Sequence, residues 1–71
     1  MTIKLSIAGL GWWGKVMIER LSISDKLEIV SLIDPFPDEE AQTIAKNHNL
    51  KILKDFDEAL SLSKFEAIIL C

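Results

Sequence analysis

Apolar and polar residues change their spacing several times along the chain, and each change marks an element. Ile3, Leu5 and Ile7 alternate with Lys4 and Ser6, the period-two signature of a strand. It departs from the unbroken apolar run of a strand buried on both faces. From Trp12 the period becomes helical: Trp13, Val16, Met17 and Leu21 fall three and four residues apart and leave Lys15, Glu19 and Arg20 in water. A helix of about Trp12 to Ser22 is predicted. LEIVSLI, Leu27 to Ile33, reads as a second strand, stopped by Asp34 and Pro35. Pro37, Asp38, Glu39 and Glu40 open a second helix. Its inner face is Ala41, Ile44, Ala45 and His48, and Asn47 and Asn49 close it. Leu50 to Leu53 is a short strand. Asp55 and Glu58 have capping-box spacing for a third helix facing inward through Phe56, Ala59 and Leu60. Phe65 to Leu70 forms a fourth strand.

The order β-α-β-α-β-α-β, without repeat or linker, predicts an α/β fold with a parallel sheet and right-handed crossovers. The expected strand order is 3-2-1-4, the first half of a Rossmann-like, doubly wound fold with the start of the second half. At 71 residues, 49% apolar and 27% charged, the chain suits one small globular domain, which buries only about 60% of its unfolded surface. Eight Lys and Arg against eleven Asp and Glu give a net charge of −3 without a basic stripe, so nucleic acid is not expected as a partner. No stretch approaches the ~20 apolar residues of a membrane span, and no signal peptide is recognisable at the N-terminus. The lone Cys71 forms no internal disulfide, which points to a reducing cytoplasm.

IAGLGWWGK, Ile7 to Lys15, carries glycines at 9, 11 and 14. This G-x-G-x-x-G follows one predicted strand, opens a helix, and has Asp34 twenty residues beyond Gly14 at the tip of the next strand. Gly9 would permit the tight turn, Gly11 the approach of a pyrophosphate, and Gly14 the close packing of helix on strand. The amides around Trp12 and Trp13, at the positive end of the helix dipole, would point at the phosphates. Asp34 could accept from both ribose hydroxyls of an adenosine and would repel a 2′-phosphate. No arginine follows it, only Pro35, Phe36 and Pro37, so NAD is expected over NADP. The alternative is that the glycines form only a compact turn and Asp34 caps a loop. Trp13, on the apolar stripe, is expected in the core, and Trp12 at the mouth of the helix.

The other candidates are weaker. His48 has no second His or Cys near it in sequence, so no metal site is expected. Cys71 ends a strand where such folds place their ligand, yet has no His partner. Lys15, Lys46 and Lys64 read as surface charges, and no grouping supplies catalytic residues.

With IAGLGWWGK, the strand ending in Asp34, the DFDEAL segment and the closing FEAIILC, all 71 residues resemble the N-terminal nucleotide-binding part of the glucose-fructose oxidoreductase, inositol dehydrogenase and MocA family. The resemblance implies a two-domain oxidoreductase moving hydride between NAD or NADP and a sugar or cyclitol carbon. By that likeness Gly9, Gly11, Gly14 and Asp34 are cofactor contacts, with the Leu10, Trp12 and Trp13 backbone beside them. The family's Glu-Lys-Pro segment and later catalytic aspartate and histidine would lie beyond Cys71. The chain is therefore expected to be a partial NAD(P)-binding domain, truncated after the fourth strand, with the substrate domain absent. That domain would bind the sugar-like substrate and mediate any homo-oligomer. A non-catalytic NAD-binding module, or a fragment that binds nothing, remains open at this point.

Overall fold

The computed structural model describes residues 2–62 and 64–71. The elements run β1 (Ile3–Ala8), α1 (Trp12–Leu21), β2 (Leu27–Ile33), α2 (Glu39–Asn47), β3 (Ile52–Leu53), α3 (Phe56–Leu62) and β4 (Ala67–Leu70). All strand pairs are parallel, and the sheet order is β3-β2-β1-β4, as the alternation of elements implies. β3 is shorter than expected because Leu50 belongs to the helix stop before it. Asn49 turns left-handed at φ 56, and the Leu50 and Asn49 amides donate back to the carbonyls of Ala45 (2.8 Å) and Lys46 (3.1 Å), a Schellman closure. β4 starts at Ala67 because Phe65 turns to pack on the α3 side. Half of the α3 capping box forms: Glu58 N–H donates to Asp55 Oδ1 at 2.8 Å, while Glu58 Oε1 accepts the Lys54 N–H at 3.4 Å instead of the Asp55 N–H that would complete it.

The helices divide the sheet into two faces. Leu5, Ile7 and Leu32 pack with Leu10, Ile18, Ala41 and Ala45 on the side of α1 and α2. Ala8, Ile33 and Leu53 pack with Ala59 of α3 on the other. A strict alternation would send Ile29 and Leu32 to opposite faces. The ladder avoids this with an irregularity: Leu5 faces Ile29, the next residue Ser6 faces Ser31, and Val30 is left as an extra residue. This bulge resets the parity of β2, so Ile29 and Leu32 both join the α1–α2 core. Ser6 and Ser31, both fully buried, hydrogen-bond to each other across the two central strands, which satisfies hydroxyls that burial would otherwise penalise.

The rotational setting of α1 departs from the periodicity. A Cβ on Gly14 would run into the carbonyl oxygen of Gly9, so the helix touches the strand end through bare backbone at this point. The stripe that follows is Gly14, Met17, Ile18 and Leu21, with Ile18 wholly buried. Trp13 is therefore not in the core as expected. It lies one residue, about 100° of helix, away from the contact line and is 64% exposed. Lys15 is also not a free surface charge, for its side chain is only 13% exposed. Gly14→Ala is expected to destabilise the fold by about 1–3 kcal/mol through overpacking, read as a fall in the urea midpoint at unchanged slope.

Candidate functional site

The ends of β1, β2 and β4 meet at the glycine turn. Gly9 sits at φ 91, a left-handed backbone that side chains disfavour. Its N–H donates to the Ile33 carbonyl (2.8 Å), and a Cβ there would lie 2.5 Å from the Cys71 carbonyl oxygen. Gly9 and Gly14 are thus explained by the fold alone. Gly11 is different. Its φ of −75 and ψ of −159 are ordinary extended backbone, and a Cβ placed on it would meet nothing within 4 Å. Gly11 is the N-cap of α1 but supplies no side-chain cap, and the first turn holds no acid. The first helical bond is Lys15 N–H to the Gly11 carbonyl (3.1 Å), so the amides ahead of it have no acceptor within the helix, and the space beside the Gly11 Cα is open.

Asp34, half-buried at the tip of β2, is fastened to this turn. Its Oδ2 accepts the Leu10 N–H at 2.8 Å and its Oδ1 the Phe36 N–H at 2.9 Å, while its own N–H donates to the Leu53 carbonyl (2.8 Å). The Leu10 amide is therefore committed to Asp34 and its side chain to the core, so Leu10 frames the turn instead of offering a donor. Each Asp34 oxygen keeps a further lone pair for an incoming hydroxyl.

Asp38 caps α2 by accepting the Ala41 N–H at 2.8 Å. The Lys15 ammonium reaches across from α1 to Asp38 Oδ2 (2.7 Å) and Glu40 Oε1 (3.0 Å). The hydrogen bonds Lys15 donates to Asp38 and then to Glu40 raise its pKa, and the Lys15 hydrogen bond, followed by the Ala41 amide, lowers that of Asp38. Farther along the same two helices, His48 Nε2 lies 3.3 Å from Glu19 Oε1, which gives His48 a structural partner. Among the described residues no group of three or more His, Cys, Asp or Glu could hold a metal ion.

Beside the turn lies a cleft of about 380 Å³, lined by Gly9, Pro35, Lys54, Phe56, Leu70 and Cys71 among others. It joins the tips of β1, β2 and β4 to the start of α3. Trp12 and Trp13 stand exposed on the first turn of α1, their rings edge to face with centroids 4.6 Å apart. The structure thus gathers Gly9, Leu10, Gly11, Trp12, Gly14, Asp34 and Cys71 around one strand-end rim. The part played by Lys15 was missed from sequence. Its only signal is a cation in the first turn of a helix, where the dipole disfavours one.

No family model and no curated protein matches the chain. Solved structures do match, and they include inositol dehydrogenases, an NADPH-dependent oxidoreductase and an NAD-binding protein, the type the sequence resembles. Scyllo-inositol dehydrogenase from Lactobacillus casei, solved with NAD(H) and scyllo-inositol, superposes with a TM-score of 0.82 at 22% identity over 99% of this chain and 21% of its own. An NAD-binding protein from Listeria innocua gives 0.75 at 25% identity over 100% of this chain and 20% of its own. GenD2 of gentamicin A biosynthesis, in complex with NAD, gives 0.81 at 20% identity over 99% and 20%. The shared feature is the Rossmann-like fold, and the chain spans about a fifth of the length of these proteins. No helix among the described residues is long and apolar enough to cross a membrane.

The Lys15–Asp38 pair sets a pH dependence. Asp38 titrates lower in the folded state, so its contribution is present above the ordinary carboxylate pKa and is lost as pH falls through the folded value. Lys15 titrates higher, so its contribution is lost only in strong alkali. Asp38→Asn, which keeps an N-cap oxygen, is expected to lower the melting temperature by a constant amount between about pH 5 and 9, with the deficit closing below about pH 4.

Proposed function

We propose that this chain is the NAD-binding part of an oxidoreductase: residues 1–71 form a partial dinucleotide-binding domain, and the substrate domain lies outside them. The observation that carries the reading is Gly11. Turn geometry and packing account for Gly9 and Gly14, but nothing within the fold requires a glycine at Gly11. A pyrophosphate that must approach the backbone supplies the missing requirement. The uncapped N-terminus of α1 offers the amides of Gly11, Trp12 and Trp13 to its oxygens and the dipole to its charge. Asp34, oriented by the Leu10 and Phe36 amides, holds the adenosine ribose and disfavours a 2′-phosphate, which makes NAD the preferred cofactor over NADP. The cleft bounded by Pro35 and Phe56 has the apolar walls that an adenine ring needs.

The nicotinamide, when bound, supplies hydride chemistry. This chain's residues contribute binding and orientation, and the proton-transfer groups come from outside it. Support for a sugar or cyclitol substrate comes from the scyllo-inositol bound by the Lactobacillus casei neighbour together with the family resemblance of the sequence.

Gly11→Ala is the decisive variant. Its unfolding free energy from urea titration should stay within about 0.5 kcal/mol of the parent, as expected of an unencumbered site. Its calorimetric affinity for NAD should fall about tenfold or more as the new methyl meets the phosphates. Unchanged NAD affinity, or none in the parent protein, would defeat the cofactor reading. Asp34→Asn should weaken NAD about five- to tenfold and narrow its advantage over NADP, as loss of a charged acceptor predicts.

A further inference from the structure

The segment joining β2 to α2 carries Asp34 and is held at its two ends, by the Asp34 N–H on the Leu53 carbonyl (2.8 Å) and by Gln42 Nε2 on the Pro37 carbonyl (3.2 Å), with little to fix Pro35 and Phe36 between them. Pro35 and Pro37 have no N–H, Phe36 is 90% exposed, and the Phe36 N–H turns back onto Asp34 itself. Two polar ties connect residues 34–38 to the first helix and its turn. One is the Leu10 N–H on Asp34, and the other is the Lys15 ammonium on Asp38 and Glu40. Lys15 is well placed for this. It follows Gly14 directly, so the contact that fixes the rotation of α1 also fixes the direction of Lys15. Its ammonium turns from the helix N-terminus, where the dipole repels a cation, toward the two carboxylates that begin α2. Its stem is largely covered, with 13% of the side chain exposed against 60% for Asp38 and 73% for Glu40.

We propose that Lys15 is a positioning residue that clamps residues 34–38 to the first turn of α1, so that the Asp34 carboxylate is preorganised for the adenosine ribose. The proposal rests on the cofactor reading above for its consequence, but the clamp itself can be tested without a ligand. A loop held in its binding geometry loses less freedom when the ligand arrives. Lys15 thus acts on the adenosine half of the cofactor through Asp34, without touching it.

The test uses Lys15→Met, which keeps the apolar stem, and Lys15→Arg, which keeps the charge. Amide exchange of the free protein should accelerate about three- to fivefold at Leu10 and Phe36 in Lys15→Met, the scale of a surface ion-pair network, while the Ile7 amide of central β1 is unchanged. Lys15→Arg should restore the parent rates. AMP, the probe for the adenosine half, should bind Lys15→Met about three- to fivefold more weakly, and this loss should shrink in a Glu40→Gln background where the clamp is already weakened. Equal acceleration at all amides, or none at Leu10 and Phe36, overturns the clamp. Tighter AMP binding by Glu40→Gln alone also overturns it, because that is the mark of a lysine freed to hold phosphate directly. If the parent protein binds no AMP, the cofactor reading fails while the exchange rates still decide the clamp.

Discussion

The backbone contact between Gly14 and the Gly9 carbonyl decides how the first helix sits on the sheet, and most of the rim follows from it. A helix that meets a strand end without side chains between them has one rotational setting at that point. That setting sends Ile18 into the core, turns both tryptophans outward, and directs Lys15 toward the start of the second helix. It also leaves the N-terminus of α1 open beside Gly11. Core packing and the geometry of the rim are therefore consequences of a single close approach, made possible by the missing Cβ of Gly14.

The β2 bulge plays a comparable part for the sheet. LEIVSLI is apolar at almost every position, and a regular strand would deal its large residues alternately to the two faces. With Val30 as the extra residue, the first half of β2 faces α1 and α2 through Leu27 and Ile29. The second half then places Leu32 on that face and Ser31 and Ile33 on the other. The small Ser6–Ser31 pair occupies the centre of the α3 side, and the short helix with Ala59 at its contact covers the strand tips. The asymmetry of the two faces, two helices against one, thus has a counterpart in side-chain size.

Element types and sheet order were legible in the sequence because strand and helix periods, the proline and asparagine stops, and the Asp55–Glu58 spacing all agree with one alternating β/α layout. The glycine turn and Asp34 were legible for the same reason, since a motif gains meaning from the strand before it and the helix after it. What escaped was rotational or relational. Trp13 reads as core from hydrophobicity alone, because periodicity identifies a stripe only to within a residue, while the true contact line passes through Gly14, which has no hydrophobicity to register. The bulge at Val30 has no mark in LEIVSLI, where five of the seven residues are apolar. Lys15 looks like solvent-facing charge until α2 is placed beside α1, since its partners lie more than twenty residues away.

The outward turn of Trp12 and Trp13 has an optical consequence. The chain contains no tyrosine and these two tryptophans, so its near-ultraviolet fluorescence originates at the mouth of the glycine turn. Both indoles are water-facing and in edge contact, which makes their emission red-shifted, open to collisional quenchers, and insensitive to the packing of the buried core. The protein thus carries a native spectroscopic reporter at its rim, while its folded interior is silent in that channel.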